Sequence, residues 1–154
     1  MITDVLLTVS GANTPGSAIS GQAITADAYS TNTIDLGTAR DIGEGADLYM
    51  VFTVVQAFNN LTSLDLEVVI SANDDLSSHT VLAETNATLA NSGLAAGKQY
   101  VVALPPQIAS LGLRYLGARY DVNGTLPSAG SILAQIVHNV QDGRKFYASG
   151  FSVT

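Results

Sequence analysis

The segment Leu64-Asp65-Leu66-Glu67-Val68-Val69-Ile70 sets Leu64, Leu66, Val68 and Ile70 on one face and Asp65 and Glu67 on the other. A period of two is the mark of a strand whose sheet buries one face and wets the other. Upstream, Leu48–Val55 is a near-continuous run of apolar and β-branched residues, which predicts a central strand buried on both sides. Comparable runs occupy Val5–Val9, Gln22–Tyr29, Thr33–Leu36, His79–Glu84, Gln99–Leu104, Leu113–Val122 and Ile132–Val140. Turn chemistry separates them: Gly11 to Gly16, Gly43-Glu44-Gly45, Asn59-Asn60, Asn73-Asp74-Asp75, Pro105-Pro106, Asn123-Gly124 and Asp142-Gly143. Gly and Asn tolerate positive φ, and Pro fixes φ and cannot donate to a ladder. Many short strands at this spacing predict an all-β sandwich or barrel. Thr85–Gly97 offers the best helical alternative, but it is rich in Ala and Asn and broken by Gly93, so a single turn is expected there.

A chain of 154 residues makes one domain and can bury a core without staples. It contains no cysteine, which excludes disulfides, thiolate metal sites and cysteine nucleophiles. The hydrophobic share is 47% against 12% charged, a balance opposite to that of disordered chains. Six basic residues against thirteen acidic ones give a net charge of −7, so a nucleic acid is not the expected partner. Met1-Ile2-Thr3-Asp4 lacks the basic and apolar regions of a secretion signal, and no stretch reaches the ~20 apolar residues of a membrane span. The expectation is a chain made in a cytoplasm, with no membrane partner. So neutral a surface suits a protein that will be covered by others.

The search for chemistry returns little. His79 and His138 fall on different predicted strands, with no His-x-His to present metal ligands in alternation on one strand face. No Gly-x-Ser-x-Gly elbow supports a hydrolase, and neither phosphate-binding glycine motif occurs. The carboxylates of Asp41, Glu44 and Asp47, and of Asp74-Asp75, lack the alternation of an EF-hand loop and read as solvated turns. Paired carboxylates for glycoside hydrolysis would want aromatic platforms, and there is no Trp. No catalytic residue, metal or cofactor is therefore expected.

The cations are more informative. Arg40, Arg114 and Arg119 lie in or beside predicted strands, with Tyr115 and Tyr120 as neighbours. Arg and Tyr are enriched at protein interfaces, which makes Arg40, Arg114, Arg119 and Tyr120 interface candidates. The alternative for each Arg is an intramolecular pair, such as Arg40 with Asp41 or Asp35. The last segment, Arg144 to Thr154, carries Phe146, Tyr147 and Phe151 behind two adjacent cations. Two readings stand for it: a final strand of the same sheet, or an arm that adds to a neighbour's sheet edge, with Phe146 and Phe151 as contacts.

Read together, Ala28 to Gly45, with its Ser30-Thr31-Asn32, Ile34-Asp35-Leu36-Gly37 and Arg40-Asp41-Ile42-Gly43 pieces, resembles a segment of the Bbp16-type capsid cement proteins of tailed bacteriophages. Leu48 to Val54, Asn73-Asp74-Asp75, Leu104-Pro105-Pro106, Arg114 to Tyr120 and Pro127 to Gly130 are similar to that family's pieces in the same order. The resemblance runs from about Met1 to Asp142. It departs at a longer insert around Asn13–Ile19 and at the tail beyond Gly143. It implies a jelly-roll β-sandwich of about eight antiparallel strands over residues 1–143, followed by a C-terminal strand or arm over 144–154. It further implies a virion protein on the outer capsid surface, with an HK97-like major capsid protein and its own copies, as homo-dimer or homo-trimer, for partners. Two rival readings remain beside it. One is a lectin-like ligand-binding jelly roll of a phage fibre, and the other a small cupin-like enzyme, disfavoured by the missing histidine pair.

Overall fold

Residues 4–14, 16–43, 47–85 and 88–138 are described by the computed structural model. In chain order the strands are β1 (Thr8–Ser10), β2 (Gln22–Ala23), β3 (Ala28–Tyr29), β4 (Ile34–Asp35), β5 (Leu48–Asn59), β6 (Ser63–Ser71), β7 (Thr80–Glu84), β8 (Leu89–Ala90), β9 (Gln99–Ala103), β10 (Tyr115–Asn123) and β11 (Ala129–His138). One sheet runs β1-β11-β5-β9 with β2 also on β11; the other runs β3-β10-β6-β7 with β4 on β10 and β8 on β6. Every pairing is antiparallel. Taking β1 with β2, β3 with β4 and β7 with β8 as interrupted single strands reduces eleven to eight positions, ordered 1-8-3-6 and 2-7-4-5. That is the order of a jelly roll, an all-β sandwich of two facing sheets.

The inward phase predicted for β6 is realised, with Leu64, Leu66, Val68 and Ile70 wholly buried between the sheets, but the opposite face is covered rather than wetted from Glu67 onward: Glu67 is 6% exposed, and Val69 and Ser71 are fully buried. The four inward residues face Met50, Phe52 and Val54 of β5, Ile132, Ala134 and Ile136 of β11, and lie beside Leu116, Ala118 and Tyr120 of β10 in one cluster. Burying each large apolar side chain is worth about 1.5–3 kcal/mol. β5 is flanked on both sides by β11 and β9, as a central strand should be.

Two segments differ from the expectation. Val5–Leu7 form a single 3-10 turn rather than strand, because Asp4 accepts the Leu6 N–H on its Oδ1 at 2.9 Å and the Leu7 N–H on its carbonyl at 3.1 Å. Gln22–Tyr29 is not one strand but two, β2 in the first sheet and β3 in the second. The Gln22 side chain braces that corner, donating to Tyr29 O at 2.7 Å and accepting from Thr31 N at 2.9 Å, while Asp27 Oδ1 takes the Val122 N–H at 2.9 Å. A pattern of apolar residues cannot show that a strand changes sheets, since both halves bury their side chains in the same core. Thr85–Gly97 holds one 3-10 turn, Asn91–Gly93, as expected of so weak a helical stretch.

The acidic turn between β6 and β7 is spent on structure. Asp75 Oδ1 accepts the Ser77 N–H at 2.8 Å, and the Asn73 amide donates to Ser77 Oγ at 3.0 Å. Hydrogen bonding from Ser77 holds the Asp75 carboxyl below the usual carboxylate range. The turn carries Leu76 at φ 61, fully buried, onto the outer face of the second sheet. It lies so close over Gly117 that a Cβ there would fall 2.6 Å from Leu76 Cδ1, which is why the third residue of β10 is a glycine. Val140 and the segment 144–154, read from the sequence as strand or arm, lie outside the described residues.

Candidate interaction site

One end of the sandwich, where β5 and β10 begin and β9 and β11 end, holds an open cavity of about 330 Å³. Leu48, Leu104 and Ile136 line it from the first sheet and Ile34, Leu36 and Leu116 from the second, with Leu7 at one side. Its rim is the loop Arg40-Asp41-Ile42. That rim is pinned by its backbone and one carboxylate: Ile42 N–H donates to Pro106 O at 2.9 Å, and Asp41 Oδ1 accepts the Ala109 N–H at 2.7 Å. Asp41 thus holds the start of the 3-10 turn Ala109–Leu111. The wall is wholly aliphatic, so it fits branched or linear carbon chains and offers no ring for stacking.

The interface candidates separate sharply against this frame. Tyr120 is corrected: its ring is fully buried, edge-on to Phe52 at 6.2 Å between centroids, and its hydroxyl donates to Ser10 Oγ at 2.7 Å. Burial pushes the Tyr120 phenol up, far from any working range. Strand parity carries the signal for this burial: Tyr120 shares the phase of Leu116 and Ala118, both inward. Arg119 points outward but donates to Glu67 Oε2 at 2.8 Å and Asp121 Oδ1 at 2.8 Å, with Asp27 at 3.9 Å. Arg114 makes a two-pronged pair with Asp35 and lies 5.1 Å from the centroid of the Tyr115 ring. The intramolecular alternative therefore holds for both of these arginines, with Asp35 taken by Arg114 rather than by Arg40. Arg40 is exposed and in no ion pair among the described residues, and it is the one cation on the cavity rim. Phe146 and Phe151 lie outside the described residues.

The Arg114 hydrogen bonds hold the Asp35 carboxyl down at about 2, from an ordinary 3.8. A carboxylate depressed on folding contributes stability that is present above its unfolded value and lost as the pH falls through its folded value. Asp35→Asn is therefore expected to lower Tm at pH 6, with the gap to the parent chain closing between pH 4 and pH 2, a window given by the 3.8 and the 2. The pair is half-exposed, so the gap is small and shrinks further in salt. A gap that stays constant through that window contradicts the assignment.

The two histidines are not brought together. His79 Nδ1 meets the Tyr29 hydroxyl at 2.9 Å, whereas His138 ends β11 in the opposite sheet. Among the described residues no three His, Asp or Glu side chains stand as a metal-ligand group, and no helix is long and apolar enough to cross a membrane.

The molecule is thus a jelly roll with an aliphatic socket at one end of the sandwich and Arg40 at its mouth. The Bbp16 family model matches residues 18–136, and the chain belongs to that family, a phage-associated one. No curated protein matches it. Among solved structures it is similar to a mutant of xylanase 10C from Cellvibrio japonicus in complex with xylopentaose, at a TM-score of 0.43 and 16% identity. That match covers 90% of this chain and only 29% of the other, so the chain spans under a third of that protein's length.

Proposed function

We propose that this chain is a capsid cement protein, binding the outer surface of a tailed-phage head and clamping neighbouring major capsid subunits. Membership of a phage-associated family supports the setting, and the aliphatic socket beside Arg40, exposed and in no ion pair among the described residues, carries the choice of contact. Pockets that desolvate an anchoring side chain supply most of the affinity at protein interfaces, and a guanidinium on the rim adds a directional, charge-assisted bond. A cement protein acts by mass action: it binds only subunits standing at the mature spacing, and so stabilises the expanded shell. Many modest contacts on a symmetric lattice, each spanning more than one subunit, add up through effective concentration. The net charge of −7 suits an outer face that must avoid nucleic acid.

Co-sedimentation with emptied, expanded heads tests this directly. The parent chain pellets with the heads, and Arg40→Glu loses about tenfold or more in affinity, the worth of about 1.4 kcal/mol, with an unchanged circular dichroism spectrum. A parent chain that stays in the supernatant at all concentrations overturns the reading. Full decoration by Arg40→Glu removes this end of the sandwich from the contact.

A further inference from the structure

The first sheet stops at β9, whose far side has no partner strand among the described residues. Unpaired edges are normally blunted by Pro, a charge, a bulge or extreme shortness. Gln99-Tyr100-Val101-Val102-Ala103 shows none of these: it pairs with β5 in unbroken register, and Val101 is 45% exposed. The other edges among the described residues are blunted: β1, β2, β3 and β4 are only two or three residues long, and β7 carries a register irregularity against β6 and ends on Glu84.

The direction of the free groups follows from the bonds already made. Leu104 N–H donates to Leu48 O and Val54 N–H donates to Lys98 O, so residues 98, 100, 102 and 104 turn their backbone groups toward β5. Gln99, Val101 and Ala103 therefore aim their N–H and C=O groups away from the sheet. We infer that this edge pairs with the same edge of a second copy, antiparallel and centred on Val101, joining the first sheets of two protomers across a twofold axis.

Self-pairing is what this edge fits best. With the axis on Val101, Gln99 of one copy lies opposite Ala103 of the other, and every outward N–H meets an outward C=O. Moving the axis to Val102 would set Gln99 against Pro105, which has no N–H. The side chains of Gln99, Val101 and Ala103 share the outer face with Tyr49, Val51 and Thr53, so the new row across the axis is uncharged and centred on a Val101–Val101 contact. The nearest charges are complementary. The antiparallel arrangement brings the Lys98 end of one strand to the end of the sheet where Asp47 lies in the other copy, a favourable placement in a chain of net charge −7.

This goes beyond the proposed reading, and its test uses no phage heads, so the two can fail separately. Sedimentation velocity of the purified full chain at tens of micromolar is expected to give twice 15.9 kDa. Val101→Lys, a charge on an exposed edge, should raise the dimer dissociation constant at least tenfold. Because the chain has no cysteine, Val101→Cys provides a second reading that does not depend on weakening the dimer. Antiparallel partners at a hydrogen-bonded site sit about 5.5 Å apart at Cα, within disulfide reach, so oxidation should yield a covalent dimer. Val81→Cys, on the exposed β7 edge, should not cross-link. A monomeric or trimeric parent chain, a Val101→Lys variant as dimeric as the parent, or cross-linking of Val81→Cys in place of Val101→Cys overturns the inference.

Discussion

Tyr120→Ala is expected to cost about 3–5 kcal/mol in urea denaturation, a large part of the roughly 5–15 kcal/mol that holds a domain of this kind together. The ring is wholly buried at the centre of β10 and contacts Phe52 edge-to-face, so its removal opens a cavity between the two sheets. Ser10, itself fully buried, also loses the hydroxyl that donates to it, leaving a polar group without its partner. Tyr120→Phe separates the two effects, keeping the packing and losing only the hydrogen bond, for about 1–3 kcal/mol. A Tyr120→Ala chain within about 1 kcal/mol of the parent would contradict the placement of this residue in the core. The practical consequence is that a loss of head binding by Tyr120→Ala would report unfolding, not a surface contact.

Gly130→Ala is the second large effect, expected at about 2–6 kcal/mol from backbone strain and overpacking together. Gly130 sits at φ 142, where side chains are rarely accommodated, at the irregular start of β11. A Cβ there would fall 2.4 Å from Phe58 Cδ1 and 2.5 Å from Cγ, and Phe58 is only 6% exposed, so its ring has little room to swing aside. The carbonyl of Gly130 also accepts the Ile24 N–H at 3.1 Å, tying the corner after β2 to the same point. Phe58→Leu should make space, so the Gly130→Ala cost is expected to be smaller in that background than in the parent. Equal costs in both backgrounds would show that backbone strain acts alone.

Legibility from the residues differed by element. The alternation in Leu64–Ile70 was enough to set its buried face, and the apolar run at Leu48–Val55 was enough to make it central, because burial acts on each side chain through its own strand phase. The same phase places Tyr120 in the core, and strand phase outweighs the interface preference of tyrosine. The Arg114–Asp35 pair could not be chosen over Arg40–Asp35 by any local rule. It depends on β4 lying beside β10.

The socket was the least legible feature. Leu7, Leu36, Leu48, Leu104 and Ile136 are scattered along the chain, and each alone reads as an ordinary core residue. The residues by themselves determined an all-β, cysteine-free, weakly charged domain with its long strands correctly phased, since those properties follow from composition and from a two-residue period. Only the tertiary structure decided that, among the described residues, Arg40 stands at an aliphatic mouth without an ion pair while Arg114 and Arg119 are consumed within the protomer, and that β9 has no second partner strand. Pairing and cavity formation are set by which strands become neighbours, a long-range outcome of burying both sheet faces at once.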